Sequence, residues 1–302
     1  MENDLSLGAA WMNGTVIPIS QAAIPVNDWG LVHSDITYDV VPVIDGAFFR
    51  FDEYLARFLS SMENLHLDPG MSKRDIKAAL HQMVSKSSLR DSYVAMVCSR
   101  GKPKIAGSRD PRDCENHFFA WCVPYVHIIK PEIVEQGATA WIAQNAYRIP
   151  ENSVNPLVKN YHWGDFTQGI FEAKDKNYET VILLDYDGNI TEGPGFNVFA
   201  VKDKVLITPD RGVLAGVSRK TVLEMAEHLG INTSVRSLSV EELLEADEVF
   251  LSSSGGGVIP IIRVNETIFG NGASGPISVQ LNETYWKWTT LEKYRDPIDY
   301  AL

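Results

Sequence analysis

Pro156-Leu157-Val158-Lys159-Asn160-Tyr161-His162-Trp163-Gly164-Asp165 is the stretch on which the reading of this sequence turns. It sets a lysine among apolar and aromatic side chains, just before residues 163–174, whose apolar spacing predicts a helix. A lysine taken alone is ordinarily a solvated charge. Among aromatics its ammonium loses hydration, its pKa falls, and the free amine that Schiff-base chemistry requires becomes available. Downstream, Thr191-Glu192-Gly193-Pro194-Gly195-Phe196-Asn197-Val198-Phe199 holds a carboxylate in a glycine-rich turn that opens a strand. Thr208-Pro209-Asp210-Arg211-Gly212-Val213-Leu214-Ala215-Gly216-Val217-Ser218-Arg219 then runs from a turn into a helix expected to be capped by Ser218. The N–H groups and positive dipole end of such a helix suit a phosphate. Ser252-Ser253-Ser254-Gly255-Gly256-Gly257 reads, by itself, as a plain loop.

Around these runs the second half alternates strands (138–144, 180–185, 197–201, 248–252) with helices (163–174, 218–229), closed by a helix-rich stretch over 276–294. The first half opens on hairpins. Asn13-Gly14 separates strands 9–12 and 15–19, and Asp45-Gly46 separates 38–44 from 47–51, both with type I′ turn chemistry. Asp52 is expected to cap a helix with Leu55, Phe58, Leu59, Met62 and Leu65 on one face. Ser72 is expected to cap another carrying Ile76, Leu80, Met83 and Val84. Residues 93–98 and 118–123 read as strands. A chain of 302 residues suits two domains: a small one over 1–125, a connecting loop over 126–133 and a larger one over 134–302.

Composition narrows the function classes. The formal charge is −12, from 39 acidic against 27 basic residues, and no Lys/Arg cluster breaks it, which argues against a nucleic-acid partner. No run approaches the ~20 apolar residues that span a bilayer, and Met1-Glu2-Asn3-Asp4 does not open a secretory signal. Neither a membrane partner nor export is expected. Cys98, Cys114 and Cys122 form an odd set without C-x-x-C spacing, which points away from disulfides and zinc and toward a reducing cytoplasm. His33-x-Asp35 has no evident third ligand, so no metal is expected. G-x-S-x-G is absent and no G-x-G-x-x-G follows any of the strands read above, which argues against the serine-hydrolase and dinucleotide readings.

The three downstream runs, in this order, spell K-N-x-x-W-x-D, E-G-x-x-x-N-x-F and R-G-V-L-x-G-V-S-R-K. They resemble the fold type IV pyridoxal-phosphate enzymes of the branched-chain and D-amino-acid aminotransferase superfamily. Within it the sequence is most similar to the R-selective amine transaminases. The resemblance rests on His33-Ser34-Asp35-Ile36-Thr37-Tyr38-Asp39-Val40, on Asp45-Gly46-Ala47-Phe48-Phe49-Arg50 and on the block ending Val258-Ile259-Pro260-Ile261, and runs from residue 24 to residue 300.

The resemblance implies an α+β fold, with a small N-terminal α/β domain and a larger C-terminal pseudo-β-barrel domain with flanking helices. It implies pyridoxal 5′-phosphate as cofactor and a homodimer with active sites at the subunit interface. Lys159 is then the Schiff-base residue and proton shuttle, and Glu192 the partner of the pyridine nitrogen. Arg57, Val217, Ser218 and Ser254 hold the phosphate, and Leu214 packs on the ring. His33, Tyr38, Trp163 and Gly255 line the substrate pocket, with His33 reaching the partner subunit's site. The implied reaction moves an amino group from an (R)-primary amine or D-configured amino acid to a keto acid such as pyruvate. The sequence departs from the resemblance at Ala106, where these relatives carry a carboxylate-binding arginine; Lys104 and Arg109 are the nearby cations. Three alternatives share the cofactor: a branched-chain L- or D-amino-acid aminotransferase, a lyase of the aminodeoxychorismate lyase type, and a cofactor-binding protein without activity. Acceptor dependence separates the lyase, and the presence of both Lys159 and Glu192 argues against the last.

Overall fold

The computed structural model describes residues 4–301. Contacts divide the chain into two compact units: residues up to Val126, Val158–His162 and the stretch from Leu291 onward in the first, His127–Leu157 and Trp163–Thr290 in the second.

The first unit opens with a hairpin of β1 (Ala9–Met12) and β2 (Thr15–Pro18), whose turn residues Asn13 (φ 50) and Gly14 (φ 81) both take the left-handed conformation that a type I′ turn requires. A single helical turn, α1 (Trp29–Val32), leads into a second hairpin, β3 (Ile36–Ile44) and β4 (Ala47–Phe49), built on the same chemistry at Asp45 and Gly46. Then come α2 (Phe51–Asn64), α3 (Lys73–Ser87), β5 (Ser92–Pro103) and β6 (Cys114–Pro124). The strands lie antiparallel in the order β4-β3-β5-β6-β1-β2. Against them α2 buries Tyr54, Leu55, Phe58 and Met62, and α3 buries Ile76, Leu80, Met83 and Val84, the faces that helical spacing selects. Ser72 caps α3 in a full capping box with Asp75. Asp52 does not cap α2. The cap position is Arg50, in the left-handed region at φ 55, and Asp52 and Glu53 lie inside the first turn, where their charges favour the helix dipole.

The second unit contains α4 (Pro131–Gln136), β7 (Ala138–Tyr147), α5 (Gly164–Asp175), β8 (Thr180–Leu184), β9 (Glu192–Gly193), β10 (Phe196–Lys202), β11 (Val205–Thr208), α6 (Val217–His228), β12 (Asn232–Val235), α7 (Val240–Leu244), β13 (Glu248–Ser253), β14 (Gly257–Val264), β15 (Thr267–Ile268) and α8 (Pro276–Trp288). Its mixed sheet runs β12-β11-β10-β13-β14-β7-β8, with β9 on β10 and β15 on β14. Alternation along β7 and β8 buries both faces. Ala140, Ile142 and Ile182 join a core with Val198, Leu251 and Ile261, while Trp141, Ala143, Val181 and Leu183 pack with Phe166 and Ala173 of α5. The cap of α6 is Gly216 and not Ser218, which sits in the first turn. A Cβ at residue 216 would lie 2.1 Å from Asn197 Oδ1, so a side-chain cap there would require Asn197 to give up its place.

The chain then returns to the first unit, where β16 (Arg295–Pro297) pairs with β4 and completes a seven-stranded sheet. The Arg50 guanidinium lies 4.4 Å from the Tyr294 ring centroid, Ile298 N donates to Gly46 O at 3.0 Å, and Tyr300 Oη donates to Leu89 O at 2.7 Å. No helix among the described residues is long and apolar enough to cross a membrane.

Lys77 and His81 of α3 both reach Asp296 of β16, His81 Nε2 at 3.4 Å. Burial holds the His81 pKa below 6.5; Asp296 opposes the shift and Lys77 adds to it. With the neutral imidazole favoured in the fold, the unfolded chain takes up its proton first as pH falls. This contribution to stability is complete above 6.5 and is lost as pH drops through that value toward the lower folded-state pKa. Urea midpoints should therefore fall between about pH 7 and about pH 5 more steeply for the natural chain than for His81→Gln. Equal slopes would mean that His81 titrates alike in both states.

Candidate active site

The backbone of Lys159 is fixed within the first unit by two long-range bonds. Thr37 Oγ1 on β3 donates to Lys159 O at 2.6 Å, Lys159 N donates to Ser61 Oγ on α2 at 3.2 Å, and Asn160 forms an antiparallel bridge with Thr37. Its Nζ lies 4.3 Å from the centroid of the Tyr38 ring, which stacks on Tyr161 at 4.0 Å and 6°. Burial, with Tyr38 and Tyr93 nearby, holds the Tyr161 hydroxyl well above its ordinary pKa and so protonated. The lysine is thus pinned at its backbone with its amine over an aromatic face.

Two turns into α2, Arg57 makes a paired contact with the buried Asp39 of β3, Nε to Oδ2 at 2.7 Å and Nη2 to Oδ1 at 2.6 Å. Burial works against this cation, but Asp39 outweighs it and raises the Arg57 pKa. Two of five guanidinium N–H groups serve Asp39 in these bonds, which fixes the plane of the fork. His33 ends α1, exposed, with its ring edge-on to Trp29 at 4.6 Å. Lys104, Ala106 and Arg109 are all exposed on the turn between β5 and β6, and Lys104 Nζ lies 3.9 Å from the equally exposed Glu115.

In the second unit Glu192 is 5% exposed on the two-residue strand β9. Its Oε2 accepts from Leu214 N at 2.9 Å and Asn197 Nδ2 at 3.5 Å, and its Oε1 accepts from Arg148 Nε at 3.1 Å. Arg148 also donates through Nη1 to Asp165 Oδ2 at 2.6 Å and lies 4.3 Å from the Phe166 ring. Arg219, its pKa lowered by burial and raised in part by Asp210 and Glu192, binds Thr208 Oγ1 and Pro209 O. Asn197 Nδ2 donates to Leu214 O at 2.9 Å, so Leu214 is tied to this group by both its N–H and its carbonyl. Val217 and Ser218 are buried in the first turn of α6, with Ser218 Oγ 3.4 Å from Tyr285 Oη. Ser254 is half-buried after β13, Gly255 donates to Ser253 Oγ at 3.1 Å, and Trp163 lies edge-on to Phe166 at 5.4 Å before α5.

Arg148 was not visible in the sequence. Its one local signal is Asp165, the last letter of the lysine run, a carboxylate in the first turn of a helix that also accepts from Ile149 N and Phe166 N. Ser61 and Tyr161 likewise acquire roles through contacts that no spacing encodes. Among the described residues no group of three His, Cys, Asp or Glu side chains is placed to hold a metal. The donor types are ones that pyridoxal 5′-phosphate can use: an amine in the first unit, and in the second a buried carboxylate and the N–H groups of the first turn of α6.

The profile of the amino-transferase class IV family matches residues 37–264. A putative branched-chain-amino-acid aminotransferase of Methanocaldococcus jannaschii is 27% identical over 278 residues, 91% of this chain and 94% of that protein. A D-alanine aminotransferase of Bacillus licheniformis is 29% identical over 273 residues, 88% of this chain and 92% of that protein. The fold matches a crystal structure of a T.th. branched-chain amino acid aminotransferase with pyridoxamine 5′-phosphate at a TM-score of 0.90 and 23% identity, covering 97% of this chain and 99% of that one.

Replacing Arg148 with Met would leave Glu192 and Asp165 buried without their guanidinium. The expected loss is about 3 kcal/mol of unfolding free energy, read from urea denaturation. An unchanged midpoint would mean that the two carboxylates find their compensation elsewhere.

Proposed function

This chain belongs to the amino-transferase class IV family, and we propose that within it the enzyme moves an amino group from an (R)-primary amine or a D-configured amino acid to a keto acid such as pyruvate. The architecture is the α+β fold type IV, and the cofactor is pyridoxal 5′-phosphate. The observation that carries the proposal is the Lys159 amine, pinned at its backbone and set against the stacked Tyr38 and Tyr161 rings. The amine donor is supported by the Ala106 turn, which buries no cation for a donor carboxylate, while the exposed Lys104 or Arg109 would meet the carboxylate of a keto acid or D-amino acid. A branched-chain L- or D-amino-acid aminotransferase is the second reading, favoured by the activities for which the two relatives are named.

When bound, the cofactor supplies an electron sink for the pair left on the substrate carbon. Lys159 Nζ, as the free amine, takes the proton from that carbon and returns it, base and acid in turn. The Glu192 carboxylate would accept a hydrogen bond from the protonated ring nitrogen, while Arg148 orients the carboxylate. Arg57, the N–H groups of Val217 and Ser218 with the Ser218 hydroxyl, and Ser254 bind the phosphate, and Leu214 packs on the ring. His33, Tyr38, Trp163 and Gly255 line the substrate pocket, with Lys104 and Arg109 as the cations nearest Ala106. The reading includes a cytoplasmic homodimer with its active sites at the subunit interface. It acts on small molecules, and its charge of −12 fits neither nucleic acid nor an anionic membrane.

The test is bleaching of the bound cofactor's visible absorbance, without acceptor, by (R)-1-phenylethylamine, (S)-1-phenylethylamine, D-alanine or L-leucine. Bleaching by the R-amine ahead of the others is the expected result. Bleaching mainly by L-leucine would overturn the proposal in favour of the branched-chain reading, and by D-alanine alone in favour of a strict D-amino-acid enzyme. Lys159→Ala should abolish turnover of every donor; a lyase would release pyruvate from a single substrate with no acceptor present.

A further inference from the structure

Residues 28–35 form a segment that cannot hold its own shape, because α1 is a single turn and a helix that short is not stable in water. What fixes it is a carboxylate at each end. Asp28, 1% exposed, accepts from Gly30 N at 2.8 Å and from the Ser99 hydroxyl through Oδ1, and its Oδ2 meets His117 Nε2 at 2.7 Å. Asp35 is held by Arg100, Nε to Oδ2 at 2.8 Å and Nη2 to Oδ1 at 3.1 Å, with Arg100 N donating to Asp35 O at 3.0 Å. Arg100 is anchored in turn on the carbonyls of Leu65 and His66. Ser99 and Arg100 are consecutive residues of β5, and His117 lies opposite Ser99 on β6. One strand pair thus grips both ends of the segment. The approach is so close that a Cβ on Gly30 would lie 2.2 Å from Ser99 Oγ.

Between the gripped ends the segment turns Leu31 (57% exposed), Val32 (52% exposed) and His33 outward. His33 N is bonded to Trp29 O at 2.9 Å, and its ring rests edge-on against Trp29. Any slackening at Asp28 therefore passes through a single helical turn to the His33 imidazole.

We infer that Asp28, clamped by Ser99 and His117, is a positioning residue that sets the place of His33 and through it the affinity for the amine donor. The inference rests on the proposal that His33 lines the substrate pocket. His117 and Ser99 touch neither donor nor cofactor in this scheme and act through the Asp28 carboxylate, so their loss weakens donor binding and leaves the proton transfer at Lys159 intact.

The experiment is steady-state kinetics of the holoenzyme with the preferred amine, for His117→Ala, His117→Gln, Ser99→Ala and His33→Ala. His117→Ala should raise the donor KM roughly tenfold, the size expected for one charge-assisted hydrogen bond, with kcat held within about twofold. His117→Gln, whose Nε2 donor sits where the imidazole Nε2 was, should bring KM back to within about threefold of the natural value. Ser99→Ala deletes a single atom and should raise KM in the same direction, so the inference stays testable if His117→Ala folds poorly. A raised KM in His33→Ala with natural values in both His117→Ala and Ser99→Ala would overturn the inference alone. A fall in kcat at constant KM, or a KM defect that glutamine fails to reverse, would do the same. Natural KM in His33→Ala would overturn the reading of His33 as a pocket residue, and the inference with it.

Discussion

A carboxylate buried at Glu192 has to be met by donors, and Arg148, Leu214 N and Asn197 meet it, a requirement around which part of the second unit is arranged. The guanidinium has to stand at the end of β7, face β9 and take a second carboxylate, Asp165, in the first turn of α5. The other oxygen of Glu192 then fixes the turn before α6 through Leu214 N, and Asn197 closes that turn from beneath. Asn197 in turn denies a side chain to residue 216. One buried charge thus determines where a strand ends, where a helix starts and how a turn between them is folded.

Under the proposed function the first unit solves the opposite problem, holding an amine that has to be able to lose its charge. Here the fixing is done by backbone bonds. Thr37 and Ser61, on a strand and a helix, bind the carbonyl and the N–H of the lysine itself, and its Nζ lies over the Tyr38 ring, which stacks on Tyr161. The same logic recurs at Arg57, where Asp39 orients a cation by occupying two of its donors.

Local features were legible in the sequence. The two type I′ turns follow from Asn13-Gly14 and Asp45-Gly46, the capping box of α3 from Ser72 and Asp75, and the buried faces of α2 and α3 from apolar spacing. Lys159, Glu192 and the run into α6 were conspicuous because their neighbours form compact patterns. Errors arose where a non-local contact decided the matter. Asp52 and Ser218 are good cap residues by type, yet Arg50 is held at its helix start by Glu53 and by the Tyr294 ring, and Gly216 by the closeness of Asn197. Arg148 went unseen because a buried ion pair between a strand end and a two-residue strand leaves no periodic trace. The exposed turn holding Lys104, Ala106 and Arg109 carries little packing to constrain it, which is why substrate choice is the least legible property of the chain.

The strand β16 has a consequence for synthesis on the ribosome. The sheet of the first unit gains its edge strand, and Arg50 its aromatic partner, from residues that follow the whole second unit in the chain. The lysine segment, too, joins this unit from mid-chain. The first unit is therefore complete only after the second has been made, against the usual vectorial order in which an N-terminal domain finishes first. Until β16 is made, the nascent first sheet has β4 unpaired along one edge, the kind of exposed backbone that invites association.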